Sequence, residues 1–299
     1  MTPLFSVIIP TYNRVSLIEE TLRSVFRQKF KDYEVIVVDD DSNDRTENVL
    51  ESYLGRIRLL KQTTNKGSGA ARNLGISQAQ GLYIAFLDSD DIWFSWTLDV
   101  FARLINEHEA PSILSARLLE FSQFSELTSV REESVTAEVF SDYFAASEVG
   151  HFVGAGMSVL KQEEVLKSGG FTEQRINLED HDLILRLGTA PGFVQILAPI
   201  TLGWRRHPHS ATADAKCSVE GNRFLLEQER DGVYPGGSSR AKDRRQIIAR
   251  HVRPTIVACL RMKLRNEAWG LYWDTFRWHL RLRRWKFLFG FPIRALLTR

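Results

Sequence analysis

The sequence predicts an α/β protein built on a mostly parallel β-sheet with helices on both faces. Short, continuous apolar runs alternate with helical patterns through the first hundred residues, which is typical of strands buried on both faces. Two of these runs, at 33–38 and 82–87, end directly in clusters of aspartate. Because ligands of parallel sheets bind beyond the carboxyl ends of the strands, we expect the functional site at this edge.

The predicted elements follow one another in a regular order. Apolar runs rich in β-branched residues predict strands, and apolar residues at helical spacing predict helices. The strands are expected at 5–9, 33–38, 57–60 and 82–87, and the helices at 17–26, 46–54 and 69–78. After about residue 110 the alternation weakens, and we expect a strand at 155–160, a helix at 178–187, a strand at 194–197 and a linker at 232–239.

The composition is that of an ordinary globular protein. Of the 299 residues, 43% are apolar and 25% are charged, which excludes a disordered or fibrous chain. Two cysteines, Cys217 and Cys259, exclude a disulfide framework and a multi-cysteine zinc site. No apolar run approaches the roughly 18 residues of a membrane-spanning helix. The N-terminus lacks a basic segment, so we expect no signal peptide and a cytoplasmic location.

The charges are unevenly distributed, although the formal net charge is only +2. Residues 240–299 contain 16 basic and 3 acidic residues, together with nine aromatic side chains. Basic and aromatic residues together favour peripheral contact with an anionic membrane surface. Two alternatives stay open: the aromatic side chains pack on the rest of the protein, or the segment binds nucleic acid, which nothing else in the chain indicates.

Three carboxylates directly follow the fourth predicted strand, at Asp88, Asp90 and Asp91. Clustered carboxylates repel one another, and a divalent cation removes that repulsion. Mg²⁺ or Mn²⁺ typically takes one or two carboxylates and completes its shell with substrate phosphates. The alternative is an aspartate-rich turn that caps the next helix.

Two other polar segments lie at expected strand ends. The acids at 39–41 follow the second strand and are suited to accept hydrogen bonds from a base or a ribose, although one of them can instead cap the next helix. The loop 65–73 combines small residues with Lys66 and Arg72, which are suited to neutralise phosphate. The loop lacks the order of a Walker P-loop, and its alternative role is a flexible entry into a helix.

Four polar motifs therefore occur in order at successive strand ends, namely Pro10–Arg14, Asp39–Ser42, Asn65–Asn73 and Asp88–Asp91. With these motifs the sequence resembles the family-two glycosyltransferases, inverting enzymes of GT-A fold that use nucleotide-sugar donors. The resemblance covers about residues 4–210. It implies the GT-A fold, which is Rossmann-like with a mostly parallel sheet between helices, followed here by a basic, aromatic, helical C-terminal region.

The resemblance assigns donor-binding roles to five residues. Pro10, Thr11 and Tyr12 match the segment that contacts the donor base. Asp40 matches the acid that binds the uracil or its ribose, and Arg72 matches a basic residue near the donor. These matches imply a UDP-linked sugar as the expected donor.

The resemblance also implies a metal site for Mn²⁺ or Mg²⁺. Asp88 and Asp90 match the family's DxD element, with Asp90 as the metal ligand and Asp88 on the side of the sugar or ribose. His207 lies in a segment that often carries arginine and histidine near the diphosphate, and it is expected to complete the metal shell or steady the leaving group. His209 is the weaker candidate.

On the acceptor side, Gly169–Phe171 and the residues 178–183 resemble the motif in which an aspartate at a helix start acts as general base. Asp180 matches that position. By chemistry alone, Glu179 and Asp182 are its rivals. If they are not catalytic, Asp182 is expected as an acid on the helix surface and Glu179 as a charge favoured by the helix dipole.

The predicted organisation is a catalytic domain at 1–230, with a nucleotide-sugar half at 1–110 and an acceptor half at 111–230, followed by the tail at 240–299. The predicted function is metal-dependent, inverting transfer of a sugar to a hydroxyl acceptor, which is a glycan or a lipid-linked precursor of a surface polysaccharide. The Gln-x-x-Arg-Trp motif of processive family members is absent, which favours single additions. A nucleotidyltransferase and a non-catalytic, glycan-binding homologue remain as alternatives.

Overall fold

A computed structural model describes residues 2–207 and 215–297. The described chain forms two compact units that are discontinuous in sequence. The sheet unit comprises residues 2–143, 151–175 and 190–207. The helical unit comprises residues 144–150, 176–189 and 215–297. The functional assignment of 1–110, 111–230 and 240–299 stays a prediction.

The described part of the sheet unit contains nine strands joined in one mixed sheet. They are β1 (Phe5–Thr11), β2 (Tyr33–Asp39), β3 (Arg58–Lys61), β4 (Tyr83–Phe86), β5 (Ile92–Trp93), β6 (Ile113–Phe121), β7 (Thr136–Phe140), β8 (Ser158–Lys161) and β9 (Phe193–Arg205). Their order is β3-β2-β1-β4-β8-β6-β9-β5, and β7 also pairs with β9. The first four in this order are parallel, so that β1, β2 and β4 end at one edge.

The helices divide between the two units. Those of the sheet unit are α1 (Ile18–Phe26), α2 (Thr46–Glu51), α3 (Ser68–Gln78), α4 (Thr97–Glu107) and α5 (Gln162–Lys167). Those of the helical unit are α6 (Glu179–Arg186), α7 (Ala215–Arg230), α8 (Ala241–Arg261), α9 (Arg265–Arg281) and α10 (Trp285–Leu297). Short 3₁₀ turns occur at Phe124–Ser129, Phe144–Ala146, Ala155–Met157 and Ser238–Arg240.

The predicted α/β fold class is confirmed, and the sheet, expected to be mostly parallel, contains antiparallel pairs as well as parallel ones. Beyond β4, β8 joins antiparallel to both β4 and β6. The strand expected at 194–197 continues to Arg205, because its second half pairs with β6 and β5. Pro199, Thr201 and Gly203 interrupt the apolar run there, which is why the sequence pattern ended early.

The C-terminal region is built into the helical unit through α8. The Arg244 guanidinium donates to the Glu229 carboxylate at 2.6 Å, and both side chains are buried. Arg244 also donates to the carbonyls of Pro235 and Gly237, so that the expected linker is held against α8. The buried side of α8 is aliphatic and includes Ile247, Ile248, Val252, Ile256 and Leu260, so α8 belongs to the core of the helical unit.

We expect acid to destabilise the helical unit through His279. Burial, with the nearby charges of Arg253 and Arg284, lowers the pKa of His279 to about 4. Neither ring nitrogen has a hydrogen-bond partner in the part of the chain that the structure describes. The unfolded chain gains this proton near pH 6.5, so the contribution of His279 is complete above pH 6.5 and is lost as the pH falls toward 4, by about 3 kcal/mol.

Urea unfolding at pH 7.5 and pH 4.5 measures this difference, and we expect His279→Leu to show a smaller loss between the two values. Equal losses in the variant and the wild-type protein would contradict the assignment.

Candidate active site

The ends of β1 and β2 lie side by side at the carboxyl edge of the sheet. The Asp40 amide donates to the Thr11 carbonyl at 2.9 Å, which joins the two chain segments just beyond the strands. Thr11 is buried, and its hydroxyl has no protein partner among the described residues. Pro10 is also buried, whereas 41% of Tyr12 is exposed. A buried hydroxyl without a partner and an exposed aromatic ring suit contact with a polar, planar ligand.

The Asp40 carboxylate is enclosed by the loop before α3. Its two oxygens accept hydrogen bonds from the amides of Lys66 at 2.7 Å and Gly67 at 2.8 Å. Gly67 has φ of +93°, which favours glycine, and this conformation lets consecutive amides face the carboxylate. Burial raises the pKa of Asp40, although the two amide donors act in the opposite direction. Asp40 therefore fixes the loop, in addition to the donor-binding role expected for it.

Arg72 and Asp88 form a contact between α3 and the turn after β4. The Arg72 guanidinium is 6% exposed and donates to Asp88 Oδ1 at 2.7 Å. Its Cζ atom lies 5.2 Å from the centre of the Phe171 ring. Asn73 holds Phe171 through both backbone groups, with bonds of 2.8 and 2.9 Å. The expected donor-side residues Arg72 and Asp88 are thus in direct contact and held by the surrounding structure.

Asp90, in the turn after β4, contacts residues from the turn after β1 and from the segment after β9. Its Oδ2 atom lies 3.2 Å from Arg14 Nε and 2.9 Å from His207 Nε2. The pairing of Asp90 with His207 brings together the two residues expected at the metal. The role of Arg14 was missed in the sequence, although the motif Pro10–Arg14 contains it and is the signal that could have indicated it.

Asp91 is held by the backbone instead of facing the site. It is 1% exposed, and its Oδ1 atom accepts a hydrogen bond from the Arg205 amide at 2.9 Å. Arg205 also donates to the Asp90 carbonyl at 2.8 Å and to Glu20 at 2.6 Å. Burial, and then the neighbouring carboxylates of Asp88 and Asp90, hold the pKa of Asp91 well above its ordinary value. Of the three clustered acids, Asp91 therefore has a structural role.

The donor set suits a divalent cation that also binds phosphate. Asp90 offers a carboxylate oxygen and His207 an imidazole nitrogen, a combination that Mn²⁺ accepts. Within residues 2–207 and 215–297, no group of three or more metal-binding side chains is arranged to hold an ion by itself. A cation held by Asp90 and His207 would need further ligands from the substrate or from water. His209 lies outside the described residues.

In the helical unit, Asp180 and Asp182 have different surroundings on α6. The Asp180 side chain is 23% exposed, and its Oδ1 atom accepts a hydrogen bond from the His181 amide at 2.8 Å. Asp182 is 2% exposed, pairs with Arg186 at 2.8 Å and accepts a hydrogen bond from Tyr234 at 3.1 Å. The expectation that Asp182 lies on the helix surface is wrong, because these two partners bury it.

Two histidine rings contact each other at a tilt of 36° beside Asp180. The ring centres of His181 and His251 are 3.9 Å apart, and His181 Nε2 lies 3.9 Å from Asp180 Oδ1. Burial, and then His181 and Arg250, hold the pKa of His251 well below its ordinary value. His251 is therefore neutral at physiological pH.

The fold and the polar strand edge define an α/β protein with a candidate ligand site at the carboxyl ends of its strands, and the comparisons identify its family. Residues 6–163 match the family described as glycosyl transferase family 2, and the chain belongs to this family.

Two relatives match shorter stretches. One, from Escherichia coli, is named UDP-Glc:alpha-D-GlcNAc-diphosphoundecaprenol beta-1,3-glucosyltransferase WfgD, and is 44% identical over 32% of this chain and 39% of its own length. The other, from Campylobacter jejuni, is named GalNAc(5)-diNAcBac-PP-undecaprenol beta-1,3-glucosyltransferase, and is 39% identical over 35% of each chain. The chain thus matches less than half the length of either relative.

The fold has a counterpart among solved structures. The crystal structure of S. aureus TarS 1-349 in complex with UDP-GlcNAc superimposes with a TM-score of 0.70 and 20% identity, over 90% of this chain and 78% of that chain. This likeness supports the predicted GT-A fold, and at this identity it concerns the fold alone.

We expect Asp182 and Asp180 to differ in their effect on stability. Asp182→Ala removes the acceptor of the buried Tyr234 hydroxyl and the carboxylate beside Arg186, so the free energy of unfolding should fall by about 3 kcal/mol. Asp180→Ala removes a partly exposed carboxylate together with its hydrogen bond from the His181 amide, and the loss should be smaller, about 1 kcal/mol. Urea unfolding measures both values, and equal losses would contradict the structural role of Asp182.

Proposed function

We propose that this protein is an inverting glycosyltransferase that moves a sugar from a nucleotide diphosphate, expected to be UDP, to a hydroxyl acceptor. The observation that carries the proposal is the turn after β4, where Asp88 contacts Arg72 and Asp90 contacts Arg14 and His207. Carboxylates and basic side chains alternate there at the carboxyl edge of the sheet. Such an arrangement suits a nucleotide diphosphate, because the basic side chains stabilise the negative charge that develops on the diphosphate when its bond to the sugar breaks.

The nucleoside would bind at the ends of β1 and β2. Thr11 offers its buried hydroxyl, Tyr12 its exposed ring and Asp40 its carboxylate. The backbone amides of the loop before α3 keep that carboxylate in position. These groups orient the donor and do not themselves react.

Mn²⁺ or Mg²⁺ is the expected cofactor, with Asp90 and His207 as the residues that would hold it. When bound, the cation would offset negative charge on the departing diphosphate. Arg72 and Arg14 supply positive charge from the protein at the same edge, and their contacts with Asp88 and Asp90 keep them there.

Asp180 is the proposed general base. The acceptor hydroxyl loses its proton to this carboxylate as the oxygen attacks the anomeric carbon, and the bond to the nucleotide diphosphate breaks on the opposite side, which inverts the centre. Asp180 is partly exposed at the first turn of α6, whereas Asp182 is buried between Arg186 and Tyr234. This difference supports Asp180 over Asp182.

The proposed acceptor is a glycan or a lipid-linked precursor. The Escherichia coli relative is named for a UDP-glucose donor and a diphosphoundecaprenol-linked acceptor, which makes these two compounds the first to assay. A nucleotidyltransferase would instead release pyrophosphate from a nucleoside triphosphate, so analysis of the products separates the two reactions. A non-catalytic homologue would bind the nucleotide or the glycan without turnover.

A thermal-shift titration tests the donor site. We expect UDP with Mn²⁺ to raise the melting temperature more than GDP, CDP or dTDP, since a ligand at 100 times its Kd adds about 2.7 kcal/mol of stability. Asp90→Ala should lose the metal-dependent part of this rise. Asp99→Ala, which removes an exposed acid from α4, is the matched control and should keep it. An equal rise with and without Mn²⁺ would overturn the metal dependence.

A transfer assay with the substrates named for the Escherichia coli relative tests the base. We expect Asp180→Asn to lower the rate of transfer by about 10²–10⁴-fold and to keep the affinity for UDP, because only proton removal is lost. Glu179→Gln, at the neighbouring acid of α6, is the control and should retain transfer. Wild-type transfer by Asp180→Asn would move the base to another residue.

A further inference from the structure

One face of α10 is fixed against α9. Leu288, Phe291 and Ala295 are buried on this face. The Phe291 ring lies 4.9 Å from the ring of Trp269 and 4.6 Å from that of Tyr272, between centroids. These contacts determine which side chains of α10 are left exposed.

The helix continues through a proline because a side chain replaces the missing hydrogen bond. Pro292 has no N–H to donate to the Leu288 carbonyl one turn earlier. The Tyr272 hydroxyl donates to that carbonyl instead, at 2.9 Å. The residues before and after Pro292 therefore belong to one continuous helix.

The exposed face of α10 carries a continuous apolar stripe. The exposed fractions are 48% for Trp285, 68% for Phe289, 59% for Ile293, 72% for Leu296 and 79% for Leu297. Trp285, Phe289 and Ile293 are four positions apart, and Leu296 and Leu297 follow Ile293 by three and four positions, so all five line one side of the helix. An uninterrupted row of large apolar side chains is unusual on a protein surface and indicates a contact surface.

The charges around this stripe have one sign. Residues 275–297 contain six basic residues and no acidic residue. On α10 itself, Lys286 and Arg294 are exposed next to the stripe. A second copy of this helix would bring like charges together, which disfavours self-association through this face. Ile293 and Leu296 offer no ring on which a base can stack, which disfavours nucleic acid.

We infer that α10 is a docking helix for an anionic lipid bilayer. The stripe lies among the headgroups and the upper acyl chains, with Trp285 and Phe289 as interfacial aromatic side chains. Lys286 and Arg294 contact lipid phosphates. No helix within the described residues is both long and apolar enough to cross a membrane. Because the apolar side chains line one side of α10 along its length, the inferred helix lies parallel to the membrane surface.

A lipid-linked acceptor, part of the proposed function, would give this contact a purpose. Lipid binding is measured without donor, acceptor or metal, so its failure would leave the transferase proposal standing. Inactivity in the transfer assay would likewise leave the docking helix standing.

The test is cosedimentation of the full chain with vesicles of phosphatidylcholine alone and of phosphatidylcholine with phosphatidylglycerol. Deletion of residues 240–299 is unsuitable, because it would remove the buried face of α8. The variant Phe289→Glu/Ile293→Glu changes two exposed side chains, and we expect its partition to anionic vesicles to fall at least about tenfold. Lys286→Gln/Arg294→Gln should weaken binding to the anionic vesicles and reduce its sensitivity to salt.

The matched control is Leu54→Glu/Leu166→Glu, which adds the same charge at two exposed leucines of the sheet unit and should bind like the wild-type protein. Unchanged melting temperatures would show that each variant is folded. Wild-type vesicle binding by Phe289→Glu/Ile293→Glu, or no binding by the unaltered chain, would overturn the inference. Self-association that Phe289→Glu/Ile293→Glu abolishes, without lipid binding, would also overturn it and assign the stripe to a second copy.

Discussion

The sheet unit depends on hydrogen-bond donors that offset the negative charge of the carboxylates at one edge of the sheet. Burying a carboxylate is unfavourable unless donors surround it. Here each acid has its own kind of donor: backbone amides for Asp40, a guanidinium for Asp88, and a guanidinium with an imidazole for Asp90. These donors come from the loop before α3, from α3 itself, from the turn after β1 and from the segment after β9, so the acids also connect distant parts of the chain.

The same compensation separates acids that are enclosed within the structure from acids that a substrate could reach. Asp91 is enclosed by its bond to the Arg205 amide, and Asp182 by Arg186 and Tyr234. Asp88 and Asp180 keep exposed fractions of 40% and 23% in their side chains. Neighbouring acids of the same type thus differ in whether a substrate has access to them, and residue type alone does not reveal this.

The parallel strands and the protein family could be predicted from the sequence, because both depend on local residue patterns. Continuous apolar runs indicated the parallel strands, and the order of polar motifs indicated the family. Contacts between distant residues were not predictable: Arg14 and Asp90 are 76 positions apart, and Arg205 and Asp91 are 114 apart. The burial of Asp182 was missed for the same reason, since Tyr234 lies 52 positions away. The basic and aromatic composition of residues 240–299 is evident in the sequence. Which of its helices are buried is not evident, and only the structure shows that one side of α8 is buried whereas an apolar stripe of α10 is exposed.

The discontinuity of the two units has a consequence for recombination between relatives. The chain passes between the units five times, because the helical unit takes up residues 144–150 and 176–189 before its long C-terminal part. A chimera joined at a single point after β9 would therefore separate α6 from the helices with which it is grouped. An exchange that keeps each unit intact therefore has to transfer three separate segments of the chain together.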